Sequence, residues 1–184
     1  MSAAATSPSS PSSLQLKSRI AGGLYPFSVL TAALGVGFLH GRLAHAVGLI
    51  AVAGMVAVTV LVYVILRPVD KNLVFLATTI NLVGCLFEAG RFSPQGVDIA
   101  VVMTGFYCLL IAIVLLRANF LPRLLVLPMA LAGLGWLSFM SPSLASSLSP
   151  WNLACGLIGE AAFFLWLLLK GLDTQRWQQQ NDAR

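Results

Sequence analysis

Glu160 places an ionisable carboxyl group inside the uncharged stretch on either side of it from Trp151 to Leu169. A charge at the centre of a bilayer is expensive, so such a group is by default a candidate for proton or ligand chemistry. At about 1.5 Å per helical residue, Glu160 lies roughly 15 Å from Lys170, Asn81 roughly 13 Å from Asn72, and Tyr107 roughly 15 Å from Arg117. Three polar side chains from three apolar runs therefore share one depth, and Thr78, Thr79, Thr104 and Cys108 fall within a turn of it. Glu160, Asn81, Tyr107 and Thr104 form the candidate midplane pocket. The structural alternative is a neutral acid donating one interhelical hydrogen bond, with Asn81 and Tyr107 as glue, because polar contacts in membranes are often only that.

Other chemistry is thinly represented. No Ser/His/Asp set, Gly-rich phosphate loop, HExxH or paired carboxylate is present, so an enzyme is not the expected reading. His40 and His45 flank a tight turn, but two imidazoles without a carboxylate or cysteine partner make a weak metal signal, and no metal or cofactor is assigned. Cys85, Cys108 and Cys155 are odd in number, lack CxxC spacing and lie in apolar stretches, where cysteine acts as a small hydrophobe. Glu88 and Arg91 read as a local ion pair at an interface.

The elements that must hold these groups are membrane helices. Of 184 residues, 58% are hydrophobic and 9% charged, and the mean hydropathy is +0.89; a soluble fold would carry about 25% charged residues. Six spans are expected, at about residues 20–40, 44–66, 73–92, 97–116, 121–140 and 151–169, each long enough for a hydrocarbon core of about 30 Å. They compose an all-α polytopic fold, a six-transmembrane-helix up-and-down bundle over residues 17–172. It is preceded by a disordered Ser/Pro/Ala-rich tail at 1–16 and followed by a polar cytoplasmic tail at 173–184. Short connections force successive helices to be antiparallel neighbours.

Lys and Arg fix the orientation. Nine (Lys17, Arg19, Arg67, Lys71, Arg117, Arg123, Lys170, Arg176, Arg184) fall on one side and two (Arg42, Arg91) on the other, which places both termini in the cytoplasm. Spread over helix ends, these bases account for the net charge of +5 without nucleic acid. Tyr25, Tyr63 and Trp166 read as the inner aromatic belt and Trp136 and Trp151 as the outer one. The tail helix formers around Trp177 extend the last span or rest on the membrane. Ala33 with Gly37, and Ala53 with Ala57, read as packing faces, homo-oligomerisation being the lesser alternative. Ala100, Thr104, Cys108 and Ala112 form a small-residue stripe that permits close helix approach.

Several short motifs occur in order: Arg19-Ile-Ala-Gly22 followed by Tyr25, Leu66-Arg-Pro-Val-Asp-Lys-Asn72, Leu116-Arg-Ala-Asn-Phe-Leu-Pro-Arg123, Ala132-Gly-Leu-Gly135, and Gly159-Glu160 with Trp166, Lys170 and Gly171. With them the chain resembles the bacterial integral-membrane family catalogued as domain of unknown function forty-three eighty-six, from about Lys17 to Leu172. The resemblance implies a multi-helix bacterial membrane protein and no particular reaction, ligand or cofactor. It also implies departures: the first two helices are joined by an unusually short segment, and Tyr107 stands where the family often has a histidine.

The leading expectation is a multi-pass protein of the bacterial cytoplasmic (inner) membrane that binds or moves a small molecule, lipid or proton through the midplane pocket. The alternative is a non-catalytic membrane subunit or scaffold whose buried polar groups are structural. Membrane lipids and a small-molecule or proton ligand are the expected partners.

Overall fold

Helices start where side-chain oxygens can satisfy the free N–H groups of a first turn. Asp70 accepts from the Leu73 N–H at 3.1 Å, Asp98 from Val101 at 3.2 Å and Asp173 from Arg176 at 3.1 Å. Capping thus occupies three of the six acidic residues. The computed structural model describes residues 11–183. Its helices are α1 (Pro11–Phe38), α2 (Gly41–Leu66), α3 (Lys71–Ala89), α4 (Ile99–Arg117), α5 (Val126–Leu137), α6 (Pro142–Leu148), α7 (Trp151–Leu169) and α8 (Thr174–Asp182), and the described residues contain no strand. Single 3-10 turns, Arg123–Leu125 and Ser138–Met140, prolong α5 at its two ends.

Each long helix packs on the next, and α7 packs back on α1, so α1, α2, α3, α4, α5 and α7 close into a ring. Five stretches among the described residues are long and apolar enough to cross a membrane: Gly41–Leu66, Lys71–Ala89, Ile99–Arg117, Arg123–Met140 and Trp151–Leu169. The helix expected as the first of six spans, α1, is not among them. It nonetheless carries no charged residue from Ile20 to Phe38.

α1 begins and α7 ends at one end of the ring, here the near end. There Gln15 donates to the Lys170 carbonyl at 3.2 Å and accepts from the Leu172 N–H at 3.1 Å. Ser18 donates to the Leu167 carbonyl at 3.0 Å. Bulky side chains fill this half: Leu14, Ile65, Leu66, Val74, Ile111, Leu115, Met129, Phe163 and Leu167 are all fully buried. Arg117 closes it with an ion pair to Asp70 at 2.8 Å.

Several expectations are corrected. Helix α1 starts at Pro11 and Leu14 is buried, so the disordered tail at 1–16 gives way to helix from residue 11; residues 1–10 lie outside the described residues. The tail, described to residue 183, does not extend the last span, and its Trp177 faces the protein. Gly171, at φ +72°, turns the chain in a conformation that favours glycine, and α8 docks with Trp177 buried, its Nε1 donating to the Ile65 carbonyl at 2.7 Å. The connection expected between the last two spans contains α6. Ala33, Gly37, Ala53 and Ala57 are exposed on the outside of the ring rather than packed within it. Glu88 and Arg91 form no ion pair; the two found among the described residues are Arg117 with Asp70 and Arg176 with Asp173.

Candidate functional site

Away from the near end the ring is lined by small residues. Ala32 and Gly35 on α1, Ala44, Gly48 and Ala51 on α2, and Gly84 and Ala100 on α3 and α4 leave a cavity of about 660 Å³. Its mouth, at the far end, carries His40, His45, Glu88 and Arg91, and its floor consists of Tyr25, Asn81, Trp136 and Glu160. The nine-residue offset of Glu160 from Trp151, the start of α7, corresponds to a depth of about 14 Å.

Glu160 is 4% exposed and receives donors from three helices. The Tyr25 hydroxyl of α1 donates to Oε2. Cys108 Sγ of α4 at 2.9 Å and Trp136 Nε1 of α5 at 3.2 Å both donate to Oε1. A second network lies beside it: Asn81 of α3 donates to the Thr59 hydroxyl of α2 at 2.7 Å, and Thr104 of α4 lies 3.4 Å from Asn81 Oδ1 as a long donor. The Thr59 hydroxyl itself donates to the Met55 carbonyl at 2.8 Å. The two networks touch all six members of the ring and share α4, where Thr104 and Cys108 stand one turn apart.

Local packing explains how the floor is shaped. Tyr25 stacks on Phe164 with ring centroids 4.1 Å apart, which fixes its hydroxyl toward α7. A Cβ at Gly156 would overlap the indole of Trp136, so glycine there leaves the slot in which that ring lies. Gly84 opposes Met103 and Ala100 at 2.9 and 3.3 Å from where its Cβ would be, so α3 and α4 approach closely at the Ala100 end of the small-residue stripe.

Of the four expected pocket residues, Glu160, Asn81 and Thr104 line one cavity, and Tyr107 does not. Tyr107 is buried with its hydroxyl unpartnered among the described residues, and it makes no hydrogen bond to Glu160. Tyr25 and Trp136, expected in aromatic belts at opposite interfaces, both reach Glu160 instead. Because α1 starts at Pro11, Tyr25 falls in the middle of that helix. Trp136 sits near the far end of α5, but helical side chains lean toward the N-terminus, here the near end, which carries its indole down to the carboxyl. Cys108 is a hydrogen-bond donor as well as a small hydrophobe. Its i, i+4 spacing from Thr104 was the available signal for it; Thr59 had none beyond being a hydroxyl in an apolar run.

His40 and His45 are exposed at the mouth, and the described residues contain no group of three side chains able to hold a metal ion.

Residues 86–171, just under half of the chain, match the family model of DUF4386, a domain of unknown function. The matched stretch contains Glu160, Cys108, Trp136 and Thr104 and leaves Tyr25, Thr59 and Asn81 outside it. No curated protein and no solved structure matches the chain.

Proposed function

We propose that this chain is a six-span protein of the cytoplasmic membrane of a bacterium, with both termini in the cytoplasm, and that it binds or moves a small molecule, lipid or proton through the Glu160 cavity. The observation that carries this reading is the cavity itself: it runs from the far end to a buried carboxyl group, where a purely structural hydrogen bond would need no open space. Such a cavity is within the 300 to 1,000 Å³ typical of small-molecule sites, apolar along its walls with a few convergent polar groups. The nine-to-two distribution of Lys and Arg supports the orientation, with the near end cytoplasmic. Six spans put the two termini on one side, which requires α1 to cross as well. Reporter fusions after residues 10 and 183 test this; opposite-side signals would leave five spans.

The scaffold reading is favoured by one feature, that Glu160 already has three donors from within the chain. Cys85 separates the two readings, because it lines the cavity while Cys108 is buried and Cys155 is exposed on α7. In a Cys155→Ala background, a membrane-impermeant thiol reagent added to the periplasmic face should modify Cys85. Cys85 that stays unreactive, or reacts only from the cytoplasmic face, would leave the scaffold reading.

A further inference from the structure

The floor of the cavity is built almost wholly to accept. Tyr25, Cys108 and Trp136 each own a single side-chain proton, and all three direct it at Glu160. A carboxylate has about four lone-pair sites, so three donors leave one acceptor direction unused. Asn81 Oδ1 is similarly under-used, its neighbour Thr104 lying at 3.4 Å while the same hydroxyl lies 3.1 Å from the Ala100 carbonyl. An anionic ligand would find these donors already committed. A ligand with N–H groups would find two acceptors in one cavity, held by Thr104 and Cys108 one turn apart on α4.

Charge points the same way. The basic residues lining the cavity are His40, His45 and Arg91, and all three belong to its mouth; Arg91 comes ten residues after Asn81 of the floor, roughly 15 Å by helix rise. Among the described residues no fixed cation therefore faces the carboxyl from the elements packed around it, which contribute Tyr25, Asn81, Thr104, Cys108 and Trp136 there. The rings of Tyr25 and Trp136 border the same floor and bring no charge to it. Above them the walls are aliphatic, with Val29, Val52, Met55 and Val101.

We propose that the cavity takes an organic cation, an ammonium-type head on a compact apolar body, with the head at Glu160 and Asn81 and the body along α1 and α2. This rests on reading the cavity as a ligand site. The ammonium could belong to a free amine or to an aminophospholipid headgroup; the chemistry at Glu160 is the same.

Three probes of one shape separate the possibilities: cyclohexylmethylamine, cyclohexylmethanol and cyclohexanecarboxylate, titrated calorimetrically into the full chain in phosphatidylglycerol nanodiscs, with empty discs subtracted. The amine should bind saturably and at least tenfold more tightly than the alcohol, and the carboxylate should not bind. Glu160→Gln should reduce the amine's advantage over the alcohol to threefold or less while the alcohol's own affinity stays, and Asp182→Asn on α8, which does not line the cavity, should keep the tenfold preference. If the alcohol or the carboxylate binds as tightly as the amine, or the preference survives Glu160→Gln, the cationic ligand is wrong although the cavity still binds. If none of the three binds saturably, the ligand-site reading falls with it. The comparison among probes on the unaltered chain decides even if the Gln variant does not fold. Repeating the amine titration in two sets of discs of equal surface charge, phosphatidylglycerol mixed with either phosphatidylethanolamine or phosphatidylcholine, identifies the source: weaker amine binding with phosphatidylethanolamine assigns the site to the lipid headgroup, and equal binding assigns it to a free amine.

Discussion

The two halves of the helix ring are made from different residues. From mid-height to the near end, the interior holds Phe163, Ile65, Leu66, Ile111, Leu115, Met129 and Leu167, each exposed by less than 2%. Toward the far end the same helices turn Ala32, Gly35, Gly48, Ala51 and Gly84 inward around open space. The polar floor lies on the boundary between them. In lipid there is no hydrophobic drive to bring helices together, so association depends on van der Waals contact and interhelical hydrogen bonds. The near half supplies that contact, which frees the far half to remain hollow. Stability and ligand capacity should therefore respond to separate sets of substitutions.

The largest effect on stability belongs to the near half. Phe163 is fully buried and meets Phe164 edge-on with centroids 5.1 Å apart, so Phe163→Ala should cost about 3 kcal/mol in reversible unfolding from mixed micelles. A loss under about 1 kcal/mol would mean that this half is not the packed one.

Overpacking should rank next. A Cβ at Gly159 would lie 2.7 Å from Ala132 Cβ and overlap the Pro128 carbonyl oxygen, because α5 and α7 touch backbone to backbone there. Gly159→Ala should cost about 2 kcal/mol by forcing them apart. It should also disturb the neighbouring Glu160, seen as a changed fluorescence of Trp136 against a Trp136→Phe reference.

At the boundary, two buried tyrosines should behave differently. Tyr25→Phe removes a donor from Glu160 and should cost about 1 kcal/mol. Tyr107→Phe removes a hydroxyl without a partner among the described residues, so it should be neutral or stabilising, within about 0.5 kcal/mol. Equal losses would show that Tyr107 has a partner, such as a bound water.

How much of this was legible follows from what sequence encodes. An acid, an amide and hydroxyls interrupting apolar runs are visible as such, so Glu160, Asn81 and Thr104 could be placed at one depth by counting residues. The direction in which a long side chain leans is not visible, so by sequence Trp136 and Tyr25 suit the interfaces rather than the carboxyl they meet. Nor can a small apolar residue reveal whether it faces a neighbour, lipid or a void. Gly48 and Ala51 face the cavity, Ala53 and Ala57 on the same helix face outward, and all four read alike. Trp177 is ambiguous for a related reason: in a polar tail an aromatic suits a membrane surface or a protein groove equally, and only the turn at Gly171 selects the groove.

The smallest effect on stability should accompany the largest effect on the cavity. Gly48 lines it on α2, and a Cβ added there meets nothing within 4 Å. A side chain at this position therefore displaces no atom of the protein, and replacing glycine inside a helix removes a propensity penalty of about 1 kcal/mol. Gly48→Phe should consequently unfold at the same denaturant concentration as the unaltered chain, or slightly above it. Its ring, however, would stand between the mouth at His45 and the floor at Glu160. Modification of Cys85 from the far end should slow at least tenfold, and calorimetric binding of any cavity ligand should disappear. Gly48→Ala, adding one methyl group, should leave both nearly unchanged. Should Gly48→Phe instead destabilise the protein by as much as Gly159→Ala, the far half would be packed like the near one, and the division of labour between them would not hold.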